Sequence, residues 1–235
     1  MPVQTLIFSA ILLTGVACSI WFKKLTPAGG IVGGVLGGLL YLGAGWTGFL
    51  LMAGFFILGT TATSWKRRNK QALRTREEHK GTRTTSQVLA NGGVGATLGL
   101  LAFLFPEYKE LFQLMIAAAF SSATADTVSS ELGTVYGRRF YNILSFKKDK
   151  RGLDGVVSGE GTVAGVLGSL VVAAIYSTGS GWNNDFLWIV IAGTVGNLAD
   201  SLLGALFERR GLLHNDLVNF GNTLIAALVA LWAGY

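Results

Sequence analysis

The chain has 235 residues, 51% of them hydrophobic and only 14% charged, with a mean hydropathy of +0.50. A soluble domain is typically about 25% charged, so a water-soluble globule is excluded and a bilayer is the fitting solvent. The net charge of +6 would suit nucleic acid, but residues 1–22 and 25–65 carry no charge at all, a distribution that points to membrane topology instead.

A membrane-crossing helix needs about 20 apolar residues. Eight stretches predict spans, in chain order 3–22, 27–44, 46–65, 87–105, 110–131, 158–178, 185–206 and 216–234. The fold class expected is therefore all-α, a single polytopic transmembrane bundle over residues 1–235. The first stretch lacks a basic leader and a cleavage site, and reads as a retained span rather than a signal peptide. Only Gly43, Ala44 and Gly45 separate the second and third, which form a tight hairpin or one kinked unit. The second carries two glycine rows, Gly29/Gly33/Gly37 and Gly30/Gly34/Gly38, whose spacing of four suits close helix packing. Pro106 divides the fourth from the fifth, and Ser177 to Asn184 turns the chain between the sixth and seventh. The lone Cys18 rules out an internal disulfide.

With the N-terminus outside, the inner segments are 23–26, 66–86, 132–157 and 207–215. They hold 18 of the 19 Lys and Arg, all but Lys109. This segregation follows the positive-inside rule, and predicts both termini outside with basic cytoplasmic loops at 66–86 and 132–157.

Ionisable side chains within spans are costly and default to function. Here they are Asp126 and Glu131 late in span five and Asp200 late in span seven. The amides Asn91, Asn197, Asn219 and Asn222 join them. All seven fall in the cytoplasmic half of their spans, and Asn197/Asp200 and Asn219/Asn222, three apart, each share a helix face. Isolated amides can be simple interhelical glue, but glue would occupy both halves of the membrane. Carboxylates and amide oxygens are hard ligands that suit Mg²⁺, usually with substrate phosphates completing its shell. The loop pairs Arg138–Arg139 and Arg209–Arg210 can serve topology alone or clamp phosphates. The Gly-rich stretch Asp154 to Thr162 leads into span six, where helix-start amides favour phosphate; it lacks the Gly-Lys-Ser/Thr ending of a Walker loop. His79 and His214 lie in loops, with no Ser-His-Asp arrangement and no Cys/His metal spacing. Ala125-Asp-Thr127 before Arg138-Arg139 and Ala199-Asp-Ser201 before Arg209-Arg210 form a weak internal echo.

Five segments then stand out together: Gln87-Val-Leu-Ala-Asn-Gly92, Ala125-Asp-Thr-Val-Ser-Ser-Glu-Leu-Gly133, Ser158-Gly-Glu-Gly-Thr162, Gly196-Asn-Leu-Ala-Asp-Ser201 and Asn219-Phe-Gly-Asn-Thr223. From about Ala28 onward the chain resembles the domain-of-unknown-function 92 family of integral membrane proteins, which includes the phytyl-phosphate kinase of plant plastids. An Asp-bearing helix end, a basic loop and a Ser-Gly-Glu-Gly-Thr element more distantly resemble the polyprenol kinases, many of them CTP-dependent. Ala125 stands where those kinases usually have Gly, and Val157 where they show a Lys-Ser or Lys-Thr pair.

The resemblance implies Mg²⁺-dependent transfer of a phosphoryl group from a cytosolic nucleotide, CTP foremost, to an isoprenyl monophosphate. On that expectation Asp126, Glu131 and Asp200 are catalytic and hold metal. Asn91, Ser158, Gly159, Glu160, Gly161, Thr162, Asn197, Asn219, Asn222, Arg138 and Arg139 bind substrate and nucleotide. The expected partners are an isoprenyl phosphate lipid, a nucleoside triphosphate and membrane lipids, not nucleic acid, with a homo-oligomer compatible. The expected location is the cytoplasmic membrane of a prokaryote. Two alternatives stay open: a transporter or flippase using the same acids for coupling, and cytidylyl transfer to a lipid phosphate. Spans one to three contain no acid or Asn, which favours an enzyme over a transporter with a midplane site.

Overall fold

The computed structural model describes residues 3–70 and 81–234. Arg74, Arg76, His79 and Lys80, counted among the loop charges, lie outside the described residues, as does the side chain of Arg68. The elements are α1 (Val3–Trp21), α2 (Pro27–Ser64), the short α3 (Arg67–Lys70), α4 (Thr85–Leu104), α5 (Lys109–Tyr136), a two-stranded antiparallel hairpin of β1 (Tyr141–Asn142) and β2 (Val156–Val157), α6 (Gly159–Ser180), α7 (Asp185–Leu203) and α8 (Asn215–Ala233).

Three helices that begin near the site, α2, α4 and α6, start on a recognisable cap. Thr26 accepts from Gly29 N at 3.0 Å, with Pro27 in the first turn. Thr84 and Gln87 form a reciprocal capping box at the start of α4. Ser158 accepts from Gly161 N at 3.1 Å at the start of α6.

Helix α2, 38 residues long, folds back on itself at Gly45 (φ 61°, ψ −147°), a conformation open to glycine and strained for other residues. A Cβ at Gly37 would meet Met52 at 2.9 Å, and Lys24 Nζ, just before the helix, donates to Ser64 Oγ, its last residue, at 3.0 Å. The predicted spans 27–44 and 46–65 are thus the two arms of one helical hairpin. Among the described residues seven helices are long and apolar enough to cross a bilayer, and the longest, α2, doubles back into two arms. The glycines of α2 serve packing: a Cβ at Gly30, in one of the rows, would meet Ile20 at 2.7 Å, and one at Gly43, beyond the rows, would run into the backbone of Gly99 in α4.

Helix α5 is the axis of the bundle, packed against α2, α4, α6, α7 and α8. Its stretch Met115 to Ala125 is buried throughout and rich in Ala and Ser, which lets five neighbours approach. Around it lies the core of Leu40, Leu51, Phe55, Val94, Leu98, Val172, Ile189 and Ala226. All the segments that carry the described Lys and Arg, apart from Lys109, gather at one end of this bundle. Arg83 N donates to Lys24 O, Trp65 Nε1 donates to the Tyr136 hydroxyl, and Arg209 pairs with Asp149. This end is the basic face of the bundle.

Candidate active site

Helix α7 runs toward the basic face and finishes in a π-helical turn, Gly204–Glu208. Such turns are rare and often found at functional sites. The β1–β2 loop docks on this turn at Gly155, whose φ of 72° and contact with Ala205 leave no room for a side chain. The docking brings Asp154 beside Gly204 and Glu208. A polar cavity of about 370 Å³ opens between these elements, walled also by α4, α5, α8 and the end of α2.

Asp126 of α5 and Asp200 of α7 meet in the wall of this cavity, their carboxyl groups within hydrogen-bonding contact. Two carboxylates in contact repel unless a proton or a cation lies between them. Asn222 Nδ2 donates to Asp200 Oδ1 at 2.6 Å, and Ser122 Oγ donates to Asn222 Oδ1 at 2.9 Å. Ser130 Oγ donates to Asp126 Oδ1 at 3.4 Å. The matched depth expected from sequence therefore becomes contact. Asp126 lies about 15 Å below the end of α5 and Asn222 about 10 Å below the start of α8, at 1.5 Å per residue.

Asn91 and Asn219 also line the cavity. Asn219 is 8% exposed, and among the described residues its buried Oδ1 has no hydrogen-bond partner. Among the described residues no three of the Asp, Glu, His and Cys side chains stand close enough to hold one ion by themselves. An Asp pair does suit Mg²⁺, which commonly takes one or two carboxylates and completes its shell with water and phosphate oxygens.

The other residues expected at the site fall in several places. Glu131 lines the cavity but does not join Asp126 and Asp200 as a third ligand. Lys70 Nζ donates to Glu131 Oε2 at 2.5 Å and also to Ala62 O and Thr63 O, so that Lys70, only 1% exposed, closes the C-terminal end of α2. Gly161 packs closely on α5: a Cβ there would lie 3.1 Å from the Gly133 Cα and 2.9 Å from Ser129 O. Ser158 lines the cavity while capping α6, whereas Gly159, Glu160 and Thr162 stand outside its wall. Thr162 Oγ1 donates to Ser158 O at 3.1 Å. Arg138 and Arg139 are exposed and also outside the wall, the Arg138 backbone amide donating to Glu160 at 3.4 Å. Asn197 is buried against Gly165 between α6 and α7, and Asn222 acts through Asp200 rather than from the wall itself.

Among the described residues, the cations that reach the cavity are Lys24, Lys70 and Arg83. Arg83 is pinned by its backbone, its N–H donating to Lys24 O at 2.9 Å and its carbonyl accepting from Thr26 N at 3.0 Å. Its guanidinium stacks over Phe55 at 4.9 Å. Burial lowers its pKa to about 10, Glu131 opposing, so it remains a cation at neutral pH.

A family model described as integral membrane protein DUF92 matches residues 10–227. The chain belongs to the DUF92 family of integral membrane proteins. It is 34% identical over 204 residues to Protein VTE6, chloroplastic, of Arabidopsis thaliana, covering 84% of this chain and 61% of that relative, so it spans about three fifths of the plant protein's length. Two prokaryotic relatives are described as uncharacterized membrane proteins. The one from Synechocystis is 30% identical over 89% of this chain and 82% of its own. The one from Methanocaldococcus jannaschii is 33% identical over 86% of this chain and 83% of its own. No solved structure matches.

The DUF92 chain thus holds site residues that sequence reading missed. In the sequence Arg83 and Lys70 stand only among the loop charges, Asp154 only at the head of the Gly-rich stretch, and Glu208 carries no expectation. Both acids line the cavity. The signal was present for Asp154, which opens the Gly-rich stretch before α6, and for Glu208, which immediately precedes Arg209. For Arg83 the signal is its position next to the Thr84 cap.

Proposed function

We propose that this membrane protein transfers the terminal phosphoryl group of a cytosolic nucleoside triphosphate, with CTP the first donor to test, to an isoprenyl monophosphate. The observation that carries the reading is the Asp126–Asp200 contact inside a cavity rimmed by Lys24, Lys70 and Arg83. Acids paired at the centre with cations around them match what phosphoryl transfer asks of a protein, which is positioning and neutralisation of charge. The family resemblance to phytyl-phosphate kinase supplies the class of acceptor.

In this reading a phosphate oxygen of the lipid attacks the terminal phosphorus of the nucleotide. The bond from that phosphorus to the bridging oxygen breaks, leaving a nucleoside diphosphate and an isoprenyl diphosphate. Arg83 and Lys24 hold phosphate oxygens and keep the two anions together. Asn222 and Ser122 fix Asp200, and Ser130 fixes Asp126, in the orientation needed. Asp126, Asp200 and the Asn219 Oδ1 would hold Mg²⁺, which when bound shields the phosphate charges that would otherwise repel the attacking oxygen. The membrane face bearing the basic loops is the cytoplasmic one in this reading, where nucleotide is available.

The buried run Ile116 to Ala125 of α5 lies directly beyond Asp126 and fills the centre of the bundle, which supports an enzyme rather than a conduit. The test incubates purified protein with labelled CTP or ATP and an isoprenyl monophosphate, with and without Mg²⁺. Isoprenyl diphosphate forming only with both metal and nucleotide supports the reading. Transfer of a cytidylyl group instead, or uptake of lipid phosphate without product, overturns it.

A further inference from the structure

A second cavity, of about 150 Å³, adjoins the polar one, and Arg83 and Gln87 stand in the walls of both. Apart from those two residues and Ser19, its wall is apolar side chain and glycine. It runs between α1, the two arms of α2, and α4. We infer that this slot holds the hydrocarbon chain of the isoprenyl phosphate, its phosphate at Arg83 and its far end near Leu12 and Phe49. The inference rests on the proposed function for the acceptor's chemistry and adds where its chain binds and what sets its length.

Three observations support it. The first is continuity: one residue, Arg83, closes the polar cavity and opens the apolar one, as an amphiphile with an anionic head requires. Its backbone is fixed to Lys24 and Thr26, so the cation marks a defined level rather than sweeping the face. The second is shape. The wall includes Gly15, Gly30, Gly33 and Gly92, which keep it thin, and the added Cβ at Gly33 would meet nothing closer than 3.9 Å, at Leu25 and Val88. From Ser19 to Ile11 the slot follows α1 for eight residues, about 12 Å at 1.5 Å each. An extended chain advances about 1.2 Å per bond, so the slot takes about ten bonds, two to three isoprene units. The third is access. Helix α1 buries only Phe8, so the slot's outer wall is a helix otherwise bathed in lipid, the phase from which such a substrate must enter.

Photolabelling without nucleotide tests the slot separately from the chemistry. The probe is farnesyl monophosphate carrying a diazirine at the end remote from the phosphate, added to the purified full chain in lipid discs. Label is expected on the peptides of α1 and α2 around Leu12, Phe49 and Met52. Gly33→Leu fills the slot and is expected to cut labelling about tenfold or more, the cost of leaving two or more chain carbons unburied. Gly38→Leu, where an added Cβ meets nothing within 4 Å and which lies outside the slot, leaves labelling unchanged. Label elsewhere in the bundle, insensitivity to Gly33→Leu, or equal competition by a straight-chain alkyl phosphate would overturn the inference. Slot labelling by a protein that makes no diphosphate would support the slot and sink the proposed reaction.

Discussion

Asn222 holds Asp200 from one side and is itself held from the other: its Nδ2 donates to Asp200 Oδ1 at 2.6 Å while its Oδ1 accepts from Ser122 at 2.9 Å. Three helices, α5, α7 and α8, are tied at one point, and the carboxylate that meets Asp126 has its orientation set there. Asn222 is fully buried, so its amide cannot be replaced by water without rearrangement.

Asn222→Leu removes the donor and leaves Ser122 and Asp200 without it. The expected loss in kcat/KM is about 10- to 100-fold, the size seen for groups that orient ligands. Ser122→Ala should cost less, since Asn222 keeps its bond to Asp200. Equal activity in Asn222→Leu and wild type would show that Asp200 needs no such support.

Lys70 and Glu131 make the prediction about stability. Removing one partner of a buried ion pair leaves the other uncompensated, at about 3–5 kcal/mol. Lys70→Met should lower the thermal midpoint strongly, and Lys70→Met with Glu131→Leu together should recover part of the loss. The double-mutant comparison by scanning calorimetry or thermal scattering checks this. Additive losses would mean that the two side chains are not coupled.

The Ser158–Thr162 element makes a paired prediction. Gly161→Ala pushes a methyl into the backbone of Gly133 and Ser129, and should destabilise by about 1–3 kcal/mol through overpacking of α5 on α6. Gly159→Ala meets open space and should change stability by less than about 0.5 kcal/mol. If Gly159→Ala instead raises the KM for nucleotide with unchanged stability, this loop touches phosphate after all.

The pair Asp149–Arg209 ties the loop before α6 to the end of α7 at 2.7 Å. The Arg209 guanidinium, then the Lys150 amide, hold the Asp149 pKa below its usual value. A depressed folded-state pKa contributes stability above the unfolded value, about 3.9, and the contribution is lost as pH falls through the lower folded one. Hydrogen exchange in residues 138–157 should therefore differ between wild type and Arg209→Ala at neutral pH, and converge as pH falls below that range. A difference that persists in acid would place the tether elsewhere.

The bundle was readable in the chain because a bilayer demands long apolar helices, and the hairpin at Gly45 was signalled by Gly43-Ala44-Gly45. The meeting of Asp126, Asp200 and Asn222 was foreshadowed by their common depth, since packed helices bring residues together only where they lie at similar distances from one face. What could not be read was which side of each loop faces inward. Arg138–Arg139 and Arg83 look alike in sequence, yet the backbone of Arg83 is bonded to Lys24 and Thr26 and its side chain laid over Phe55, while Arg138 and Arg139 face solvent. The close approach of Gly161 to Gly133 is likewise not legible in the sequence. A glycine needed for close approach and one needed for a ligand carry the same letter.

The measurement that bears most directly on the central claim is turnover by Asp126→Asn and Asp200→Asn beside the wild type, with CTP, Mg²⁺ and an isoprenyl monophosphate. An intramembrane carboxylate costs about 2.5–3.5 kcal/mol at a helix centre and less toward the ends, so neutral amides at these two positions should leave thermal stability intact. The account predicts isoprenyl diphosphate from the wild type and loss of turnover by at least about a hundredfold in each variant, as expected when a group stabilising phosphoryl-transfer charge is removed. Full activity in either folded variant, or metal-independent turnover by the wild type, would contradict it.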